Sequence, residues 1–192
     1  MSSDEHGDAD AVIDATTNTL IATIHLDGGA GNTVYDPVSG RILVAVHEKN
    51  ELVSIDPSTA KIISHHPVPG IESPHGIALD VDARLAFVAG EENNKLALLD
   101  LTNGRVLATY PVGKDPDVLA FDPGLKLLYV SAESGNVTVF RENGKALVNV
   151  GSLSMPHAHT VSVDPDTHLV YFPLQNLNGK PVLRIMEPRG AN

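Results

Sequence analysis

The chain has 192 residues, 42% of them hydrophobic, with 13 Lys and Arg against 24 Asp and Glu and a formal net charge of −11. That balance excludes the clustered cations a nucleic-acid surface needs, and the absence of Cys excludes disulfides, thiol nucleophiles and thiolate metal sites. With 4% aromatic residues and no Trp, the core must be built from Val, Ile, Leu and Ala.

The first ten residues, "MSSDEHGDAD", are acidic and polar and read as a disordered leader. They lack the basic and apolar regions of a signal peptide, so the chain as given is expected in the cytoplasm, or in the periplasm or medium if it is a mature or trimmed form. No apolar run approaches the ~18 residues of a membrane span. "DAVID" and "TLIATIHL" then predict two strands. From residue 30 onward short apolar stretches such as "ILVAV", "LAFVA" and "LLYVS" alternate with turn sequences such as "DPVSG", "DPSTA", "LTNG" and "DPDT". In these, Asp accepts local backbone hydrogen bonds, Pro presets the backbone, and Gly or Asn tolerates positive φ. The apolar stretches are too short for helices, so the chain is expected to be all-β.

The pattern repeats. "GNTVYDPVSGRILVAV", "HGIALDVDARLAFVAG", "DVLAFDPGLKLLYVSA" and "HTVSVDPDTHLVYFPL" align on Asp36, Asp80, Asp122 and Asp164, at steps of 44, 42 and 42 residues. Asp14, Asp56 and Asp100 form a second column with the same period. A four-stranded unit of about 42 residues has the dimensions of a β-propeller blade. The expected units span 30–73, 74–115, 116–155 and 156–188 within a single domain of residues 11–192, with 11–26 closing a blade. This predicts 17 strands in roughly four blades, closed by Leu20–His25 lying beside Val182–Met186, or completed by a second copy in a homodimer.

The stretch "SPHGIALDVDARLAFVAGEENNKLALLDLTNGRVLATYPVG" resembles a blade of the YVTN-type, YncE-like bacterial β-propeller repeat proteins, and the likeness extends over roughly Ala11 to Pro188. It implies a propeller scaffold, usually of seven blades, on which members carry different functions.

In such a hairpin pattern the start of strand one and the turn after strand two share a rim, and the Asp turns lie on the other. The first rim gathers nine acids, Glu48, Glu91, Glu92 and Glu133 among them, against four bases. Its expected partner is cationic, a metal ion, a small ligand or a protein, although solubility alone also accounts for such charge. Five residues before each shared Asp stand Gly31, His75, Asp117 and His159. Two imidazoles and a carboxylate around one axis suit Zn²⁺, Mn²⁺ or Fe²⁺, with His157 as a further ligand or outer contact. The competing readings are hydrogen bonds to neighbouring blades, a metal-dependent enzyme of lyase or lactonase type, and a structural repeat of a larger assembly.

Overall fold

The computed structural model describes residues 1–188. Eighteen strands form five antiparallel sheets in chain order. The first sheet holds β1 (Ser2–Asp4), β2 (Ala9–Asp14) and β3 (Thr19–His25). The second holds β4 (Ala30–Asp36), β5 (Arg41–Val46), β6 (Glu51–Asp56) and β7 (Lys61–Pro67). The third holds β8 (Pro74–Asp80), β9 (Leu85–Gly90), β10 (Lys95–Asp100) and β11 (Arg105–Pro111). The fourth holds β12 (Pro116–Asp122), β13 (Leu127–Ala132), β14 (Asn136–Glu142) and β15 (Leu147–Ser154). The last holds β16 (Ser162–Val163), β17 (Val170–Leu177) and β18 (Lys180–Met186).

These are the five blades of a β-propeller, which corrects the expectation of four. The extra strand is β1, inside the stretch read as a disordered leader. Ser2–Asp4 pairs with Ala9–Ala11, so the N-terminal residues belong to a three-stranded blade instead of preceding one. The predicted closure by Leu20–His25 against Val182–Met186 does not occur: β3 pairs with β2, and β18 with β17.

The core lies between the blades. Each blade presents one row of side chains forward and the alternate row backward, so four apolar layers separate five sheets. Cross-strand register makes positions equivalent from blade to blade. Leu43 pairs with Ser54 and Ala45 with Leu52 as Phe87 pairs with Leu98 and Ala89 with Leu96. Burial follows this register except on the outward faces of the end blades. Ile13 is 47% exposed, whereas its equivalents Ile55 and Leu99 are 0% and 2% exposed. Leu183 is 57% exposed where Leu52, Leu96 and Val137 are sealed.

At the Asp-turn rim, the strand-one turns of the second, third and fourth blades are locked locally and then clamped by the next blade. Asp36 accepts the Val38 amide and the Ser39 hydroxyl, and the Arg84 guanidinium donates to both of its oxygens at 2.6 and 2.8 Å. Lys126 reaches back to Asp80 at 2.7 Å and His168 to Asp122 at 2.9 Å. Arg84, Lys126 and His168 occupy one repeat position, so the clamp belongs to the blade design.

Candidate functional site

On the opposite rim two repeat columns converge on the hub. The first, at the start of strand one, is Gly31, His75, Asp117 and His159. The second, just after strand two in three blades and within β17 in the last, is His47, Glu91, Glu133 and Gln175. A repeated hydrogen bond pins the second column: the amides of His47, Glu91, Glu133 and Gln175 donate to the carbonyls of Gly29, Ser73, Asp115 and His157 at 2.8–3.1 Å. The chain therefore brings four blades' worth of titratable groups to one place by backbone geometry.

They form a continuous row. His47 Nε2 lies 3.0 Å from His75 Nδ1, His75 Nε2 lies 3.1 Å from Asp117 Oδ1, and Asp117 Oδ2 lies 2.7 Å from His159 Nδ1. The His47 and His75 rings lie 4.9 Å apart between centroids. Glu91 approaches His75 Nδ1 at 3.8 Å, and Glu5 approaches His47 Nδ1 at 3.9 Å. Gly31 is required by this arrangement. A Cβ there would stand 2.9 Å from the His75 backbone and 3.0 Å from His47 Nε2. The blade without a side chain at this position thus makes room for His47, which supplies the imidazole instead. Gly76 is equally constrained, because its Cβ would fall on the Asp117 carbonyl oxygen of the next blade.

The electrostatics assign the protons. Burial opposes a charge on His75, but the hydrogen bond and charge of Asp117, with Glu91 and Glu5 behind, outweigh it and hold its pKa above the ordinary value. Burial, then the neighbouring His75, pushes His47 down. Burial raises Asp117, but its bonds to His75 and His159 prevail and lower it. When protonated, His75 can donate Nε2–H to Asp117 and Nδ1–H to His47. Glu91 is pushed up by burial, which with the carboxylates of Glu5, Asp117 and Glu133 outweighs the lowering pull of His75. Negative charge is in excess here.

Among the described residues, two groups offer ligand atoms within 4.8 Å of one another: His47, His75 and Glu91, and separately Asp117, Glu133 and His159. Above the first lies a cavity of about 740 Å³ walled by Glu5, Glu48, Glu72, Glu91, Glu92 and Asp115, with no Lys or Arg in its lining. Glu48 is tied down by accepting the Gly29 amide at 2.6 Å.

Of the residues singled out from sequence, His75, Asp117 and His159 come together, and Glu91 and Glu133 flank them. Glu48 and Glu92 line the cavity. His157 has a turn role: its φ is 65°, matching Ser73 at 54° and Asp115 at 55° in the preceding blades, and its carbonyl accepts the Gln175 amide. His47 is the residue that sequence reading missed. Its signal was its place in the Glu91 and Glu133 column, one residue beyond strand two.

No family model and no curated protein sequence matches the chain. Solved structures do resemble it. A functionally unknown protein from Desulfotomaculum acetoxidans is 19% identical with a TM-score of 0.71, covering 94% of this chain and 68% of its own. A putative 6-phosphogluconolactonase from Bacteroides fragilis is 15% identical with a TM-score of 0.79, covering 96% and 62%. A chain of the hydrazine synthase of Kuenenia stuttgartiensis is 16% identical with a TM-score of 0.69, covering 81% and 45%. This chain thus spans 45–68% of the length of these neighbours. At such identities the likeness carries the propeller fold alone.

Proposed function

We propose that the protein is a binding module, on a YVTN-like propeller scaffold, that holds a divalent transition-metal ion at the hub through His47, His75 and Glu91. The single observation that carries this reading is the convergence of two imidazoles and a carboxylate at the floor of an acid-walled bowl. Two imidazole nitrogens 3.0 Å apart stand close to the ~3.3 Å that two bonds of about 2.0–2.1 Å span at a tetrahedral angle. The ion takes the place of the proton shared between His47 and His75. Asp117 then has the role that an outer carboxylate has for many metal-bound histidines: it accepts Nε2–H of His75 and leaves Nδ1 to the metal. The carboxylate excess around Glu91 is relieved by the incoming positive charge. Imidazole and carboxylate donors without thiolate favour Zn²⁺, Mn²⁺ or Fe²⁺.

The bowl has the wrong sign for an anionic substrate such as a sugar phosphate, so the likeness to a putative 6-phosphogluconolactonase does not extend to that chemistry. Calorimetric titration with Zn²⁺ and Mn²⁺ tests the proposal. Saturable binding near one ion per chain is expected, lost in His75→Ala and weakened at least tenfold in Asp117→Asn, with the outer-strand control His65→Ala unchanged. Absence of binding in the wild type, or binding that survives His75→Ala, overturns it.

A further inference from the structure

The inter-blade layers are not filled alike. Between the third and fourth blades, Phe87, Leu98 and Tyr110 project forward onto Leu128, Phe140 and Leu147. The Tyr110 ring meets Phe140 edge-on at 5.6 Å, and its hydroxyl accepts the Leu147 amide at 2.9 Å. Cross-strand register identifies the same positions one blade earlier. Leu43 stands for Phe87, Ser54 for Leu98 and His66 for Tyr110, and on the facing blade Gly104 stands for Leu147. All four replacements are smaller. At the rim of the Asp turns they leave a slot of about 280 Å³ between the second and third blades. Leu43, Leu52, Leu99 and Leu101 supply its apolar walls.

Its polar groups are of two kinds. The charged ones are already matched: Arg84 with Asp36 at 2.6 Å, Arg41 with Asp56 at 2.6 Å, and Asp100 with Lys145 at 2.5 Å. The others are Ser39, whose hydroxyl is taken by Asp36, and Ser54, Ser64 and His66, the last two joined at 2.8 Å. A charged ligand would find no free partner, and a purely apolar one would strand the hydroxyls and the imidazole. The neighbouring layer shows what fits this space in this fold: a single aromatic ring carrying one hydroxyl.

We propose that the slot between the second and third blades is a binding site for a neutral, single-ring aromatic alcohol, distinct from the hub and on the opposite rim. Its ring replaces the missing Tyr110-type side chain against Leu43, Leu52, Leu99 and Leu101, and its hydroxyl bonds within the Ser54–Ser64–His66 group. The volume suffices, since a buried apolar cavity of about 150 Å³ already takes benzene. For seven non-hydrogen atoms a dissociation constant of about a millimolar is expected.

The test uses phenol, with benzoate as the charged control, on the full chain. Phenol is expected to raise the melting temperature saturably and to shift the Gly104 amide resonance, while benzoate does neither. Ser54→Leu with His66→Tyr places the third blade's residues in the second. This double variant is expected to melt higher than wild type, to lose the phenol response and to keep hub metal binding. Leu43→Phe, carrying the equivalent of Phe87, is a second variant that narrows the slot alone and should weaken phenol at least fivefold. No phenol response in the wild type, an equal response to benzoate, an unchanged response in the double variant and in Leu43→Phe, or a filled variant that melts lower than wild type would each overturn the proposal.

Discussion

Replacing Asp36 by Asn tests whether the blades are held together at the Asp-turn rim. The Asp36 carboxylate is 2% exposed and accepts two guanidinium hydrogen bonds from Arg84 of the next blade, with the Ser39 hydroxyl and the Val38 amide completing its shell. The Arg84 bond, helped by the others, holds its pKa down at about 2 from an ordinary 3.8. A drop of that size corresponds to roughly 2 kcal/mol of stability at neutral pH. Asn keeps one acceptor oxygen and loses the charge, leaving the partly covered Arg84 cation without its counter-ion, so the expected cost is about 2–3 kcal/mol. With a urea m-value of about 2 kcal/mol/M, the midpoint should fall by about 1 M at pH 7. The sign with pH follows from the lowered value: the contribution is complete above 3.8 and fades as pH drops through about 2. The gap between wild type and Asp36→Asn should therefore narrow in acid. Arg84→Met should cost a similar amount, and the double variant little more than either, giving a coupling near 2 kcal/mol. A coupling below about 0.5 kcal/mol, or a midpoint gap unchanged between pH 7 and pH 2, would refute the clamp and class the pair with ordinary surface salt bridges.

Two further outcomes follow from the hub. Gly76→Ala sets a methyl against the Asp117 carbonyl of the adjacent blade, so that the third and fourth blades must part; a loss of about 2–3 kcal/mol in urea unfolding, together with weakened metal binding, is expected. His75 has a folded pKa above its ordinary 6.5, so its stabilisation is full below pH 6.5 and lost as pH rises through the folded value, whereas Asp117, depressed below 3.8, contributes above 3.8 and loses that only in stronger acid. The stability difference between wild type and His75→Gln should accordingly be largest between about pH 4 and 6.5 and shrink as pH rises through the folded value above 6.5; a difference that grows on the alkaline side contradicts the raised His75 pKa.

The repeat was legible because turns impose residue types. Asp36, Asp80, Asp122 and Asp164 cap the same backbone hairpin through their carboxylates, and that need recurs with every blade. The blade number was not legible, because the deciding strands carry no hydrophobic signature. The β1 strand is "SSD", three exposed residues held by the ladder to Ala9–Ala11 and by the Ser3 hydroxyl on Thr33 of the next blade. The β16 strand shrinks to Ser162–Val163, although its sequence promised a full one. Of the site, one column could be found by counting back from the turn Asp, which brought out His75, Asp117 and His159. His47 sits in the other column, where its neighbours are acids, and only the curvature of the hub shows that an imidazole arriving from strand two fills the place that Gly31 vacates.

The two rims divide the work of the repeat. At the Asp-turn rim, the residue before strand two is Arg84, Lys126 or His168, each matched to a carboxylate of the preceding blade. The same position in the second blade is Gly40. In the three blades that carry a basic side chain there, the turn carboxylate of the preceding blade meets it, as expected of a device whose task is to hold blades in register. At the hub rim the acids of neighbouring blades instead wall a cavity whose lining holds no Lys or Arg, although Lys114 meets Asp115 at 3.1 Å, and burial, with the neighbouring carboxylates and against the pull of His75, raises the Glu91 pKa. Like charges gathered by rigid backbone hydrogen bonds destabilise the free protein unless something positive joins them. The clamps at Asp36, Asp80 and Asp122 on the other rim offset that cost by holding neighbouring blades together.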